Sequence, residues 1–164
     1  MGRITIRPVA AGDAAAFVSA ARASRALHRP WVSAPQDNAA FERYLARFDG
    51  VVNHGFLVEA PDRLVGAIHL TNLVMGAFRS GYLGYYAFAG AEGQGLMTQG
   101  LKAVVRHAFQ ELGLHRVEAN IQPANAASIA LVQRCGFRLE GYSPRYLKIG
   151  GRWRDHERWA RTRD

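Results

Sequence analysis

The chain has 164 residues, of which 49% are hydrophobic, and a formal net charge of +8. This length suits one domain with a substantial core, so we expect a single domain over residues 1–164. The only cysteine, Cys135, excludes an intramolecular disulfide. No apolar run is long enough to span a bilayer, and we therefore expect a cytoplasmic protein without membrane contact.

The positive charge is densest near the end of the chain, at Arg145, Lys148, Arg152, Arg154, Arg158, Arg161 and Arg163. Such a stretch raises the question of a polyanionic partner. No helix-turn-helix, RNP-like aromatic motif or zinc-ligand spacing accompanies it. A solvated basic face is the simpler interpretation, and RNA binding through the basic surface stays open as an alternative.

The first half of the chain predicts a strand followed by two helices. Residues 1–7 alternate too strictly for a signal-peptide core, and we expect a strand over residues 3–9. An alanine-rich run over residues 14–26 predicts the first helix. Asp37 is placed to cap the second helix, whose apolar face would hold Phe41, Tyr44, Leu45 and Phe48.

Strand patterns follow in the middle of the chain. Residues 55–60 and 64–73 predict a hairpin around the turn Pro61-Asp62-Arg63. Residues 80–88 are rich in aromatic side chains and predict a further strand, in which Gly84 indicates a bulge or a close backbone approach.

The second half alternates helices and strands. Helical spacing over residues 96–112, ended by Gly113, predicts the longest helix. A strand over 116–122 and a shorter helix from Asn125 to Gly136 come next. Late strands are predicted over residues 137–142, 146–149 and 152–160, the last two joined at Gly150-Gly151.

A glycine-rich stretch lies between a predicted strand and the longest helix, and reads Gly90-Ala91-Glu92-Gly93-Gln94-Gly95-Leu96-Met97-Thr98. Glycines there let consecutive N–H groups and the helix dipole act on one anion such as a pyrophosphate. Thr98 stands where a dinucleotide fingerprint needs glycine, and Gly100 is not followed by the lysine of a P-loop. A flexible turn is the alternative interpretation.

Two motifs in order resemble the GNAT acetyltransferase superfamily. They are Gly93-x-Gly95 before an amphipathic helix, and Asn125-Ala126-Ala127-Ser128 followed by Cys135-Gly136-Phe137-Arg138-Leu139-Glu140-Gly141-Tyr142. The stretches Gly81-Tyr82-Leu83-Gly84-Tyr85, Gly95-Leu96-Met97 and Gly151-Arg152-Trp153-Arg154-Asp155-His156 look like its RimJ/RimL branch of ribosomal-protein-alanine N-acetyltransferases, RimJ in particular. Gly90 departs from the Gln or Arg that is common at the first loop position.

The resemblance implies an α/β (α+β) fold. It implies a mixed, mostly antiparallel sheet of about seven strands that is splayed in the middle and flanked by about four helices. It also implies acetyl-CoA as cosubstrate and no metal. The residues it places against the coenzyme are Tyr86, Ala87, Phe88, Gly93, Gln94, Gly95, Leu96, Met97, Thr98, Asn125 and Ser128. Free backbone groups at residues 86–88 would bind the pantetheine arm, and one N–H there would hold the thioester oxygen.

Acetyl transfer needs an uncharged amine, a polarised thioester and a proton for the departing thiolate. Ser128 is a candidate donor of that proton. The glutamate and tyrosine that some family members use as base and acid are replaced here by Asn120 and Val132. Glu118 lies on the same strand face as Asn120 and is a candidate base, with a surface ion pair as the alternative.

The expected acceptor is the N-terminal α-amine of a protein or peptide, such as a ribosomal protein. At pH 7 roughly a tenth of α-amines but only about one lysine in a few thousand is neutral, which suits an enzyme without a strong base. Trp31, Tyr85, Asn120 and Tyr146 are the candidate substrate-binding residues. A small-molecule amine acetyltransferase and a non-catalytic module that binds CoA or RNA remain alternatives. The sequence leaves monomer and homodimer open.

Overall fold

A computed structural model describes residues 3–164, and Met1 and Gly2 of the predicted alternating start lie outside the described residues. The strands are β1 (Thr5–Pro8), β2 (His54–Ala60), β3 (Arg63–Val74), β4 (Ser80–Ala87), β5 (Arg116–Ile121), β6 (Arg138–Ile149) and β7 (Arg152–Thr162). The helices are α1 (Ala14–Ala23), α2 (Arg25–His28), α3 (Asn38–Leu45), α4 (Leu96–Gln110) and α5 (Ala126–Arg134), with a 3₁₀ turn at Ala11–Asp13.

The seven strands of the described chain form one sheet in the order β1-β2-β3-β4-β5-β7-β6. All neighbours are antiparallel except β4 and β5, which run parallel. The prediction of a mixed, mostly antiparallel sheet is therefore confirmed.

The sheet opens between its two parallel strands. Residues Ser80 to Leu83 of β4 pair with Arg116 to Ala119 of β5. Beyond those pairs β4 continues to Ala87 and β5 to Ile121 without pairing to each other. The predicted splay is confirmed, and it leaves backbone groups of both strands facing a gap that something else must satisfy.

Helices cover both faces of the sheet and create two apolar clusters. On one face α4 and α5 pack over the strands through buried side chains such as Leu101, Val104 and Val132. On the other face α1 and α3 contribute Phe17 and Phe41 to a second cluster. Burial of each such large side chain stabilises the fold by about 1.5–3 kcal/mol. Cys135 is 1% exposed within the first cluster, as a buried structural thiol would be.

The predicted first helix is broken at Ser24, so the described chain has five α-helices rather than about four. The Ser24 hydroxyl donates to the Ala20 carbonyl at 2.6 Å and accepts from the Ala89 N–H at 2.8 Å. This long-range contact ends α1 and starts the short α2. It had no local sequence signal because Ala89 is distant in the chain.

Other element bounds differ less. Asp37 caps α3 by accepting from the Ala40 N–H at 2.7 Å, but the helix ends at Leu45, short of Phe48. The two strands predicted over 137–149 form one strand, β6, with an irregularity between Ser143 and Leu147. Gly113 and the Gly150-Gly151 turn take the positive φ angles that those predictions required. No helix within residues 3–164 is long and apolar enough to cross a membrane.

A partly buried histidine joins β3 to α3. His69 Nε2 lies 2.7 Å from the Tyr44 hydroxyl, and the Phe48 ring stacks on the imidazole. Burial lowers the pKa of His69 to about 3, with a smaller contribution from Arg47. The folded protein therefore keeps this ring neutral under mildly acidic conditions.

Acid should weaken the fold through His69. The unfolded state gains a proton on this ring below about pH 6.5 while the folded state stays neutral down to about pH 3, so stability falls as pH drops through that window. Between pH 7 and pH 5 the loss from this group is about 2 kcal/mol. Urea unfolding of the His69→Gln variant should show a shallower pH dependence than wild type, whereas an identical slope would contradict the prediction. Carboxylates with a lowered pKa, such as Asp13, stay charged between pH 7 and pH 5 and do not contribute to the pH dependence in that interval.

Gly66 lets β3 approach the start of α4. A Cβ atom at this position would lie 2.4 Å from the Met97 sulfur and 2.6 Å from the Tyr86 carbonyl oxygen. The methionine can move, but the carbonyl belongs to a paired strand. Gly66→Ala should therefore destabilise the protein by about 1–3 kcal/mol in urea unfolding. Gly12→Ala is the matched control because its Cβ meets no atom within 4 Å, and equal stability of the two variants would refute this account.

Candidate active site

The start of α4 is built to receive an anion. Gly93 and Gly95 both have φ near +71°. A residue with a Cβ atom adopts this left-handed conformation only at a cost of about 1–2 kcal/mol. Gly95 is the N-cap residue of α4, and no side chain in the described chain caps this end. The first N–H groups of the helix and its dipole are therefore directed at the open space before it.

The loop before α4 is braced despite the missing side chain at Gly90. The Gly90 N–H donates to Glu92 Oε2 at 2.5 Å, and the Gly90 carbonyl accepts from Gln94 Nε2 at 2.8 Å. Arg63, the first residue of β3, donates to Gln94 Oε1 at 2.8 Å. The steadying group that the family commonly places at position 90 is thus supplied here by Gln94 and Arg63. Gly90 itself has φ +88°, which favours glycine.

A cavity of about 690 Å³, here called the donor cavity, lies beside this loop. Of the residues predicted to contact the coenzyme, those lining it are Tyr86, Ala87, Gly93, Gln94, Gly95, Met97, Thr98, Asn125 and Ser128. Phe88 and Leu96 do not line it, because their side chains are 1% and 4% exposed in the two apolar clusters. They hold β4 and α4 in place instead of facing the cavity.

The backbone at residues 86–88 is less open than the sequence predicted. The Phe88 N–H donates to the Val65 carbonyl at 2.8 Å, and the Ala87 carbonyl accepts from His28 Nε2 at 2.7 Å. Because successive residues of a strand direct their backbone groups to opposite neighbours, Tyr85 and Ala87, not Phe88, present theirs to the gap. The Ala87 N–H is the better candidate for holding the thioester oxygen.

His28 was missed by sequence reasoning and lines the donor cavity. Its Nε2 donates to a carbonyl, which leaves Nδ1 as an acceptor. That Nδ1 is buried and has no hydrogen-bond partner within the described residues. A buried acceptor without a partner, beside an uncapped helix terminus, fits a ligand that carries both amide donors and phosphates, as coenzyme A does.

A second cavity of about 510 Å³, here called the acceptor cavity, lies on the other side of the gap. All four predicted substrate-binding residues line it, namely Trp31, Tyr85, Asn120 and Tyr146. The two cavities share Trp31, Val32, Tyr85, Asn125 and Ser128. They therefore meet where β4 and β5 part.

No Asp, Glu, Lys or Arg is among the described residues that line the acceptor cavity. Its polar groups are mainly amides and hydroxyls, among them Asn120, Gln122 and Tyr82. Asn120 Oδ1 is buried and has no partner in the described chain. His156 ends the stretch that resembles the RimJ/RimL branch; the sequence assigned it no site role, and it also lines this cavity.

Ser128 and Tyr85 form a hydroxyl pair at the junction of the two cavities. Their oxygens lie 2.7 Å apart, and the Ser128 N–H donates to Asn125 Oδ1 at 3.3 Å. Asn125 thus caps α5 through its side-chain oxygen, and it also lines both cavities. Burial raises the pKa of Tyr85 well above its usual range, so the phenol keeps its proton.

Glu118 is not positioned as the sequence suggested for a catalytic base. It accepts from Arg116 Nε at 2.9 Å and Nη2 at 2.6 Å, and Arg116 also pairs with Glu140. Glu118 lines neither cavity. Strand alternation placed its side chain on the correct face, but the guanidinium holds the carboxylate away from the gap.

A basic groove of about 930 Å³ lies next to the donor cavity. Its charged lining consists of Lys102, Arg106, Arg134, Arg138, Arg161 and Arg163, with Glu140 and Asp164. Arg134 lines both the groove and the donor cavity. Part of the basic charge of the chain therefore borders the anion-binding end of α4.

Comparison with known proteins agrees with this geometry. The model of the acetyltransferase (GNAT) domain family matches residues 3–138. The chain belongs to the GNAT acetyltransferase family.

Among its relatives is the [ribosomal protein uS5]-alanine N-acetyltransferase of Escherichia coli, 40% identical over 104 residues, which are 62% of this chain and 54% of that protein. RimJ of Mycobacterium smegmatis, solved in complex with CoA-disulfide, superimposes with a TM-score of 0.91 at 30% identity, covering 98% of this chain and 82% of that one. The Vibrio cholerae spermidine N-acetyltransferase, in complex with CoA and spermine, has a TM-score of 0.81 at 21% identity, covering 97% and 95%, which shows a shared fold. The chain spans 54–60% of the length of the first curated relatives it matches.

Proposed function

We propose that this protein transfers an acetyl group from acetyl-CoA to the N-terminal α-amine of a protein or peptide. The observation that carries the proposal is the meeting of two cavities in the gap between β4 and β5. One cavity has an anion-binding helix terminus, and the other has a neutral polar lining. A thioester presented from the first side would be open to attack by an amine from the second.

The residues of the donor cavity fit coenzyme A. The loop from Gly90 to Gly95 and the first turn of α4 would bind the pyrophosphate, and Arg134 would attract the anionic adenosine end. The pantetheine arm would follow the unpaired edge of β4 toward Tyr85. The coenzyme, when bound, supplies the activated acetyl group, and the protein supplies orientation and hydrogen bonds.

Two groups of this chain would act on the thioester. The Ala87 N–H would donate to the carbonyl oxygen as negative charge develops on it, the usual role of an oxyanion donor. The Tyr85–Ser128 hydroxyl pair, 2.7 Å apart at the cavity junction, would deliver a proton to the departing thiolate. The family position for an acid tyrosine on α5 is Val132, and Tyr85 reaches the same helix from β4 instead.

The lining of the acceptor cavity favours a peptide N-terminus over a polyamine. Recognition of a polycation would be strengthened by carboxylates, and none lines the cavity in the described chain. Amide side chains such as Asn120 and Gln122 match the backbone donors and acceptors of a peptide. A ribosomal protein is the proposed macromolecular acceptor, because the Escherichia coli relative is named for one.

A panel of acceptors tests the proposal. With acetyl-CoA saturating, release of the CoA thiol should be at least 100-fold faster, as kcat/KM, for short peptides with free Ala, Ser or Met N-termini than for N-blocked lysine peptides. The physical reason is the far larger neutral fraction of α-amines near pH 7.

Spermidine and aminoglycosides in the same panel separate the alternatives. Turnover confined to these small amines would overturn the proposed acceptor and favour the small-molecule enzyme. Tight acetyl-CoA binding without turnover of any amine, together with salt-sensitive RNA binding, would favour the non-catalytic module.

Gln94 should matter for coenzyme affinity through the loop it braces. Gln94→Ala removes the hydrogen bond to the Gly90 carbonyl and the anchor for Arg63. We expect the Kd for acetyl-CoA, measured by calorimetry, to rise about 10-fold, equivalent to about 1.4 kcal/mol. Gln133→Ala, an exposed change outside both cavities, is the matched control, and equal affinities would refute the bracing role.

A further inference from the structure

We propose that His156 accepts the proton that the acceptor amine loses during acetyl transfer. The inference rests on the proposed function and adds the base that the sequence did not reveal. His156 lies on β7, lines the acceptor cavity and is 2% exposed. Its ring is therefore held in place while remaining open to a molecule in that cavity.

Hydrogen bonding sets the tautomer of this ring. Nδ1 lies 2.9 Å from the Arg154 carbonyl oxygen. Because a carbonyl only accepts, Nδ1 carries the hydrogen, and Nε2 of the neutral ring has its lone pair available. Nε2 has no partner within residues 3–164 and is not among the fully buried unpartnered atoms, so it reaches the open space of the cavity.

Strand register places Asn120 on the same face as His156. Asn120 of β5 pairs directly with Arg158 of β7, and His156 precedes Arg158 by two residues. Residues at this diagonal offset lie roughly 7–8 Å apart, which is within reach of long and aromatic side chains. His156 Nε2 is an acceptor to which a primary amine in the cavity can donate, whereas Asn120 Oδ1 is a buried acceptor without a partner in the described chain, on the same sheet face.

No carboxylate of the described chain that lies near His156 is free to act as the base in its place. The titratable groups that face it are the phenols of Tyr146 and Tyr82, from β6 and β4, and the guanidinium of Arg158 on its own strand. Glu118 of β5 is paired with Arg116. The neighbouring Asp155 lies on the opposite strand face and accepts from Tyr142 and from the Arg145 N–H.

The amine nitrogen forms a bond to the acetyl carbonyl carbon, and one of its protons moves to His156 Nε2. The C–S bond breaks with its electron pair on sulfur, and the thiolate takes a proton from solvent through the Tyr85–Ser128 pair. The imidazolium then returns its proton to water, so acetyl-CoA and amine give amide and free thiol.

A pH profile of the His156→Asn variant tests the assignment. With saturating acetyl-CoA, log kcat/KM for an N-terminal peptide should rise in acid with a limiting slope of 2 in wild type, one proton from the amine and one from His156. The variant, whose amide can still donate to the Arg154 carbonyl, should show a slope of 1 and a rate about 100-fold lower at pH 8. A slope of 1 in wild type, or an unchanged variant, would overturn the assignment.

Three further measurements keep the test decisive. His115→Asn, an exposed change outside both cavities, should keep the slope of 2. His156→Gln provides a second variant if the first fails to fold. Long-range ¹H–¹⁵N correlation spectra, which need no turnover, should show the Nδ1–H tautomer for His156, and an Nε2–H tautomer would refute the proposal. Absence of turnover in wild type with every amine would instead mean that the proposed function itself had failed.

Discussion

The structure depends on the early parting of β4 and β5. Four residue pairs hold these parallel strands together, and after Leu83 and Ala119 their backbone groups have no strand partner on the gap side. Buried backbone groups need hydrogen bonds, so such an opening is tolerated only where side chains or a ligand satisfy them. His28 supplies one bond, to the Ala87 carbonyl, and Tyr85 extends across the opening to α5. The remaining backbone donors and acceptors of β4 and β5 along the gap are available to bind a ligand.

The donor side combines that opening with a helix terminus whose backbone is fixed beforehand. Gly93 and Gly95 hold left-handed angles, and Gln94, Glu92 and Arg63 brace the loop through hydrogen bonds to one another and to Gly90. A pre-formed loop loses less conformational freedom when it binds an anion. Part of the positive charge lies in the adjoining groove, and no Asp, Glu, Lys or Arg of the described chain lines the acceptor cavity.

Local sequence signals predicted the elements well, and long-range contacts account for the errors. Gly113, Asp37 and Gly150-Gly151 act on neighbours a few residues away, so their effects were readable in the sequence. The break at Ser24 and the position of His28 depend on Ala89 and Ala87, which are about sixty residues away. Glu118 was placed on the correct face by alternation, and the ion pair that the sequence left open as its alternative role is formed with Arg116, two residues earlier on the same strand. His156 ends a stretch that resembles the RimJ/RimL branch, but the sequence assigned it no role, and only the register of β5 and β7 places it on the same face as Asn120.

Under the proposed function, the neutral lining of the acceptor cavity accounts for how a basic protein would use a basic substrate group. An ammonium ion approaching a chain with a net charge of +8 meets repulsion and, inside a cavity without carboxylates, an uncompensated desolvation cost. A neutral amine pays neither penalty. In the proposed reaction the same cavity would therefore select the protonation state that can attack a thioester, and a base would be needed only for the proton released afterwards. An imidazole suits that later role because it can take a proton near neutral pH and return it to water.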